Sequence, residues 1–332
     1  MKKILLALAA GAAMTGLFAQ CTAKAEAGNE AAAPADSDTI PVVYFISEIT
    51  PENLIRIYDS LGVDASDRKV AVKISTGESM RSNHLSPELI APLVSRLNGT
   101  LVECNTAYAG NRNSTEAHRR AIEEHGYAAI APVDIMDAEG DTAITVTNGF
   151  HLPYDLVGKD LTDYDFMLVL SHFKGHAMGG FGGALKNISI GIGSSAGKAW
   201  IHTAGKTADV DSLWSNLPEQ DAFIESMADA ASAVVDYMGK DNMVYINVAN
   251  NLSVDCDCNG NPAEPKMADL GIFASKDPVA LDRACVDMVF NAGEDSGNAD
   301  LIERIDSRHG THILPSAEQL GVGTQRYRLV RL

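Results

Sequence analysis

The 332-residue chain carries 44 acidic against 26 basic residues, a formal net charge of −18, and is 46% apolar. A surface this acidic repels nucleic acid and anionic lipid at long range, which sets nucleic-acid binding aside. The apolar content supports a folded core of one large or two small domains. Five cysteines, Cys21, Cys104, Cys256, Cys258 and Cys285, are too few and too scattered for a disulfide scaffold. No C-x-x-C occurs, so neither a zinc ribbon nor an iron–sulfur cluster is expected.

Residues 1–20 read as a signal peptide. Lys2 and Lys3 give the positive start, and Ile4 to Phe18 is an apolar stretch too short for a permanent membrane helix. Leu17-Phe-Ala-Gln-Cys21 resembles a lipoprotein box, which makes Cys21 a lipidation site, while Ala23-Lys-Ala25 offers a competing cut that releases a soluble product. Export follows from either cut, as an envelope-anchored lipoprotein or a soluble periplasmic protein. The N-terminal lipid is then the one route to a membrane. Residues 21–39, rich in Ala, Glu, Asp and Pro, bury too little to offset their ordering entropy and read as a disordered tether.

The body, residues 40–332, alternates short strands and helices. Val42–Ile46 reads as a strand, Pro51–Leu61 as a helix with proline in its first turn, and Lys69–Ser75 as a strand. A helix over Pro87–Leu97, a strand over Leu101–Cys104 and a helix over Thr115–His125, ended by Gly126, continue the pattern. Tyr164–Leu170 is nearly all apolar, as a strand buried on both faces should be. Asp221–Met238 is an amphipathic helix with Asp221 as its expected cap. Strands over Val244–Val248 and Leu270–Ala274 follow, and Asp277-Pro278 opens a last helix to Phe290. This order predicts a three-layer α/β body around a mainly parallel sheet, in one or two lobes.

Phe166 to Ala208 contains no Asp or Glu, yet holds Lys174, Lys186, Lys198, Lys206, His172, His176 and His202. In so acidic a chain, an acid-free basic island points to a pocket for a small anion, although solvated loop lysines give the same composition. Ser171-His-Phe-Lys-Gly-His176 follows the buried strand directly, where ligands of open α/β sheets bind. His172, Lys174 and His176 are the candidate catalytic residues: two imidazoles can move a proton or hold a metal, and a lysine can bind an anion. The glycines of Gly179-Gly-Phe-Gly-Gly183 suit close approach of backbone to a ligand, or of chain to chain. Gly191 to Lys198 misses the phosphate-loop spacing, and Ala199 stands where its hydroxyl residue belongs, which disfavours a nucleotide enzyme.

Cys256-Asp-Cys258 puts two thiols on one side of an extended chain. They suit a divalent metal such as zinc, with His172 or His176 as a third ligand, or a disulfide, or inert packing. These segments together resemble the domain of unknown function 362 family. The likeness rests on Lys69–Lys73, Ser171–His176, Gly182–Asn187, Gly197-Lys198 with His202, Asp255–Cys258 and Ala274–Asp282. Lys73, Lys186, Asn187, Lys198 and His202 are the candidate substrate contacts within them. Many relatives carry a ferredoxin-type iron–sulfur module whose cysteines this chain lacks, so the cluster is not carried over. The resemblance implies kinship and no particular reaction. The residues favour an enzyme acting on a small anion, against an exported binding protein without turnover or a purely structural body.

Overall fold

The computed structural model describes residues 40–332; the expected signal peptide, Cys21 and the tether lie outside the described residues. Along the chain, β1 (Val42–Ile46), α1 (Pro51–Ser60), β2 (Val70–Lys73), α2 (Pro87–Arg96), β3 (Thr100–Glu103), α3 (Thr115–Glu124) and β4 (Val133–Ile135) come first. A hairpin of β5 (Asp141–Thr145) and β6 (Tyr154–Gly158) leads to β7 (Phe166–His172) and a second hairpin, β8 (Lys174–His176) with β9 (Gly180–Gly182). Then follow α4 (Ala184–Ile188), α5 (Ser195–His202), α6 (Gln220–Met238), β10 (Met243–Ala249), β11 (Gly271–Ser275) and α7 (Pro278–Asn291). The chain closes with α8 (Ala299–Ser307), α9 (Ile313–Gln319) and β12 (Arg328–Arg331).

Eight strands form one sheet in the order β12-β1-β11-β10-β7-β2-β3-β4. Seven run the same way, and β11 alone is antiparallel, to both β1 and β10. The exception has a local cause. A parallel neighbour needs a crossover, usually helical, and the segment from Asn250 to Leu270 contains no helix. It loops over the carboxyl end of β10 and returns, which carries Cys256, Asp257 and Cys258 to that end of the sheet.

Alternation along the strands builds the three layers. In β7, Phe166, Leu168 and Leu170 pack with Leu54, Ile90 and Ile122 of α1, α2 and α3. Met167 and Val169 face the other way, onto a core that includes Leu185, Phe223, Ile224 and Val279 of α4, α6 and α7. All seven β7 residues are buried, and its first five, Phe166–Leu170, form a continuous apolar run. Truncating one of its leucines to alanine costs about 2–5 kcal/mol. Asp277 caps α7 as its sequence suggests, accepting from the amides of Val279 and Ala280, both at 2.9 Å. The expected cap of α6 moves: Glu219 takes that place without a side-chain bond, and Asp221, inside the first turn, pairs with His309 at 2.7 Å instead.

From β2 the chain steps outward through β3 to β4, and from β7 it steps the other way to β10. The crevice outside the carboxyl ends of β2 and β7 is therefore a topological switch point, where open α/β sheets place their ligands.

Candidate active site

That crevice is a narrow cleft of about 60 Å³, where roughly 10–15 Å³ on the same measure houses one water. Lys73, the last residue of β2, is buried in its wall. Its Nζ reaches Glu103 Oε2 at 3.1 Å and Asn187 Oδ1 at 3.0 Å. Glu103, the last residue of β3, is the counter-ion for two cations, because its Oε1 takes Arg112 Nη1 at 3.2 Å. Burial raises the Glu103 pKa, but Lys73 and Arg112 outweigh it and hold the carboxyl well below the ordinary range. Arg112 Nε goes to Glu78 at 3.2 Å. Asn187 ties the two strand ends together, with Nδ2 at 3.0 Å from Ser171 Oγ and 3.3 Å from the Lys73 carbonyl.

On the opposite wall, Asp257 serves two partners. Its Oδ2 accepts from Lys174 Nζ at 2.9 Å and its Oδ1 from His172 Nδ1 at 2.7 Å. Burial opposes its ionisation, but Lys174 and His172 keep it ionised far below the usual carboxylate range. His172 Nε2 lies 2.6 Å from the Asn250 carbonyl. Both His172 nitrogens thus meet oxygen partners, which holds the ring between Asp257 and the Asn250 carbonyl. Both nitrogens are engaged by protein groups, so the expected metal-ligand role of His172 is not what this arrangement shows.

His172 lines the cleft, whereas His176 does not. Its Nδ1 accepts from the amides of Gly179 at 2.8 Å and Met178 at 3.3 Å, which puts the ring proton on Nε2. His202 lies outside the cleft too: it is buried in α5, stacks on Phe223 with centroids 5.0 Å apart, and is pushed down to about 4 by burial. Lys198, in the same helix, does line the cleft, and its Nζ donates to the Gly193 carbonyl at 2.6 Å.

Lys186 stands apart from the other cations. It sits half-buried on α4, and among the described residues its Nζ makes no ion pair and no hydrogen bond. Burial, then the nearby charge of Lys174, pushes its pKa down to about 7. The amides that open α4 are already satisfied: Ala184 and Leu185 donate to buried Asp282 at 2.8 and 2.9 Å. A Cβ at Gly183 would strike that carboxylate, so this glycine serves chain-on-chain packing.

Cys256 and Cys258 are joined as a disulfide at the cleft's edge. His176 and the two sulfurs offer ligand atoms within 4.8 Å of one another, a possible metal-binding group. The residues as arranged do not fit an ion, since both sulfurs are spent on each other and His176 holds its proton on Nε2. Glu103, Arg112, Tyr108 and Asp257 line the cleft and were not singled out from the sequence.

The family described as a domain of unknown function (DUF362) matches residues 70–287. The chain belongs to the DUF362 family. The DUF362 match runs from β2 into α7 and takes in every cleft residue described above. No curated protein matches the chain significantly. Among solved structures, the lactate racemase apoprotein from Thermoanaerobacterium thermosaccharolyticum is similar at 14% identity and a TM-score of 0.39, over 64% of this chain and 52% of that one. A Thermotoga maritima protein is similar at 14% identity and a TM-score of 0.43, over 71% and 57%. The chain thus spans little more than half the length of either. No helix among the described residues is long and apolar enough to cross a membrane.

Proposed function

We propose that this DUF362 protein is an exported enzyme that binds a small anion in the cleft between β2 and β7 and acts on it through Lys186. The export part rests on residues 1–20 alone. The anion part rests on one observation: Lys186 is a cleft amine that makes no ion pair or hydrogen bond among the described residues, with Asp257 its nearby but unbonded carboxylate. Lys73, Arg112, Lys174, Lys186 and Lys198 face the same narrow space as two carboxylates, Glu103 and Asp257. The excess positive charge, held by low-dielectric walls, focuses attraction on whatever anion fits. An arriving anion also stabilises the ammonium form of Lys186, so binding takes up a proton near neutral pH.

Calorimetric titration of orthophosphate and of acetate into the purified chain tests this. Saturable binding that weakens with salt and takes up protons supports the reading. Lys186→Met should weaken it by about tenfold or more, a loss of about 1.4 kcal/mol. Unchanged affinity in that variant would sink it. Capture without turnover is favoured by one feature: both His172 nitrogens are engaged by Asp257 and the Asn250 carbonyl. Under that alternative the bound anion is recovered chemically unchanged.

A further inference from the structure

We propose that Lys186 is an imine-forming lysine, and that the anion held in the cleft carries a carbonyl beside its carboxylate, as a 2-oxo acid does. This rests on the anion reading above and narrows its substrate class.

The case begins with how the other cations are spent. Lys73 is tied to Glu103, Arg112 to Glu103 and Glu78, Lys174 to Asp257, and Lys198 to the Gly193 carbonyl. Each is fixed as a charge. Lys186 has no bonded partner at its tip; burial and the charges of Lys174, Lys73 and Arg112 lower its pKa against the opposing pull of the Asp257 carboxylate. A desolvated lysine with a pKa of about 7 is unprotonated about half the time at neutral pH, and that fraction supplies the lone pair a nucleophilic amine needs. The approach is open on one side: position 182 is glycine, where a Cβ would sit 3.3 Å from Lys186 Cδ and 3.8 Å from Lys174 Cε.

The surroundings supply the rest of the chemistry. Arg112 spends Nε and Nη1 on Glu78 and Glu103, and its Nη2 has no protein acceptor among the described residues. It can hold one oxygen of a carboxylate. Tyr108 lines the same cleft, and burial raises its pKa, so the phenol stays a proton donor for a carbonyl oxygen. The neutral Lys186 Nζ attacks the carbonyl carbon, and a C–N bond forms as the C=O π pair moves to oxygen. That oxygen takes one amine hydrogen to give the carbinolamine. The C–O bond then breaks, oxygen leaves as water with the second amine hydrogen, and C=N remains. No oxidant, reductant or metal enters the balance.

Glyoxylate, the smallest 2-oxo acid, is the probe. The wild-type protein is incubated with it at about pH 7 and treated with borohydride, which reduces an imine to a stable secondary amine. Peptide mass mapping then reads the adduct. At that pH a lysine with a pKa of about 7 holds a free amine roughly half the time, against about one part in 2,500 for an exposed one. The label on Lys186 should exceed that on exposed Lys69 and Lys276 by at least about a hundredfold, and orthophosphate should suppress it. Equal labelling of the three, or an unlabelled Lys186 peptide, overturns the proposal. Orthophosphate binding without an adduct removes the imine and leaves the anion reading standing. An adduct that phosphate does not suppress keeps the imine and removes the anion reading. The wild-type map decides, so an unfolded variant does not obscure the result.

Discussion

Replacing Lys186 by methionine should stabilise the protein below neutral pH, and the gain should vanish as pH rises. The Lys186 pKa falls from 10.5 in a free lysine to about 7 in the folded chain, chiefly through burial. Folding therefore disfavours the ammonium. At about 1.4 kcal/mol per pKa unit, the whole displacement corresponds to about 5 kcal/mol. The sign follows from proton counting. Between the folded and unfolded pKa values the unfolded chain binds more protons, so wild-type stability rises with pH through that window. Below the folded value the cost is present in full, and above the unfolded value it is absent. Methionine keeps the length of the stem and carries no charge. Reversible urea unfolding of both proteins at about pH 6, 8 and 10 reads the difference directly, as a variant more stable at the lowest pH whose advantage shrinks to under about 1 kcal/mol at the highest. A difference that stays flat across the series, or a variant less stable at the lowest pH, would refute the claim that Lys186 is an unpaired, desolvated amine.

Two further outcomes follow from the same geometry. Glu103→Gln leaves Lys73 and Arg112 as buried cations without their shared counter-ion, and should cost about 3–5 kcal/mol in urea unfolding; a loss under about 1 kcal/mol would show that the pair is solvated. Native-state thiol titration should find Cys256 and Cys258 unreactive until a reductant is added, because the disulfide masks both sulfurs; release of thiols by a chelator alone would instead point to a metal thiolate.

The layers of the fold were legible because they depend on local patterns. Tyr164–Leu170 and Val244–Val248 read as buried strands, and Phe166–His172 and Met243–Ala249 are the two strands at the centre of the sheet. Asp277-Pro278 marked a helix start because cap and first turn are adjacent in sequence. Less visible were elements made by packing between distant segments. Helix α5 contains Gly197, a residue that argues against a helix in sequence, yet a Cβ there would collide with the Leu156 carbonyl of β6. The glycine is needed for close approach, and tertiary contact overrides propensity. The direction of β11 was equally hidden, since the alternation of elements does not reveal that the return from β10 lacks a helix.

The site divides along the same line. An acid-free basic island identifies lysines by composition, and the filter discards every acid by construction. The partners that decide what each lysine does come from elsewhere in the chain: Glu103 from the end of β3, and Asp257 from the loop after β10. Once those two are placed, Lys73, Arg112 and Lys174 become structural ion pairs, and removing Lys174 strands buried Asp257 rather than only freeing a solute. The island's chemical meaning thus contracts from many cations to one. Lys186 is the residue left over, and the surrounding fold fixes where it stands. Asp282 receives the first amides of α4, and Asn187, next to Lys186 in sequence, is bonded to both strand ends. An amine whose backbone is held from both sides, and whose protonation is disfavoured by burial and by the charge of Lys174, is the group on which the proposed reaction rests.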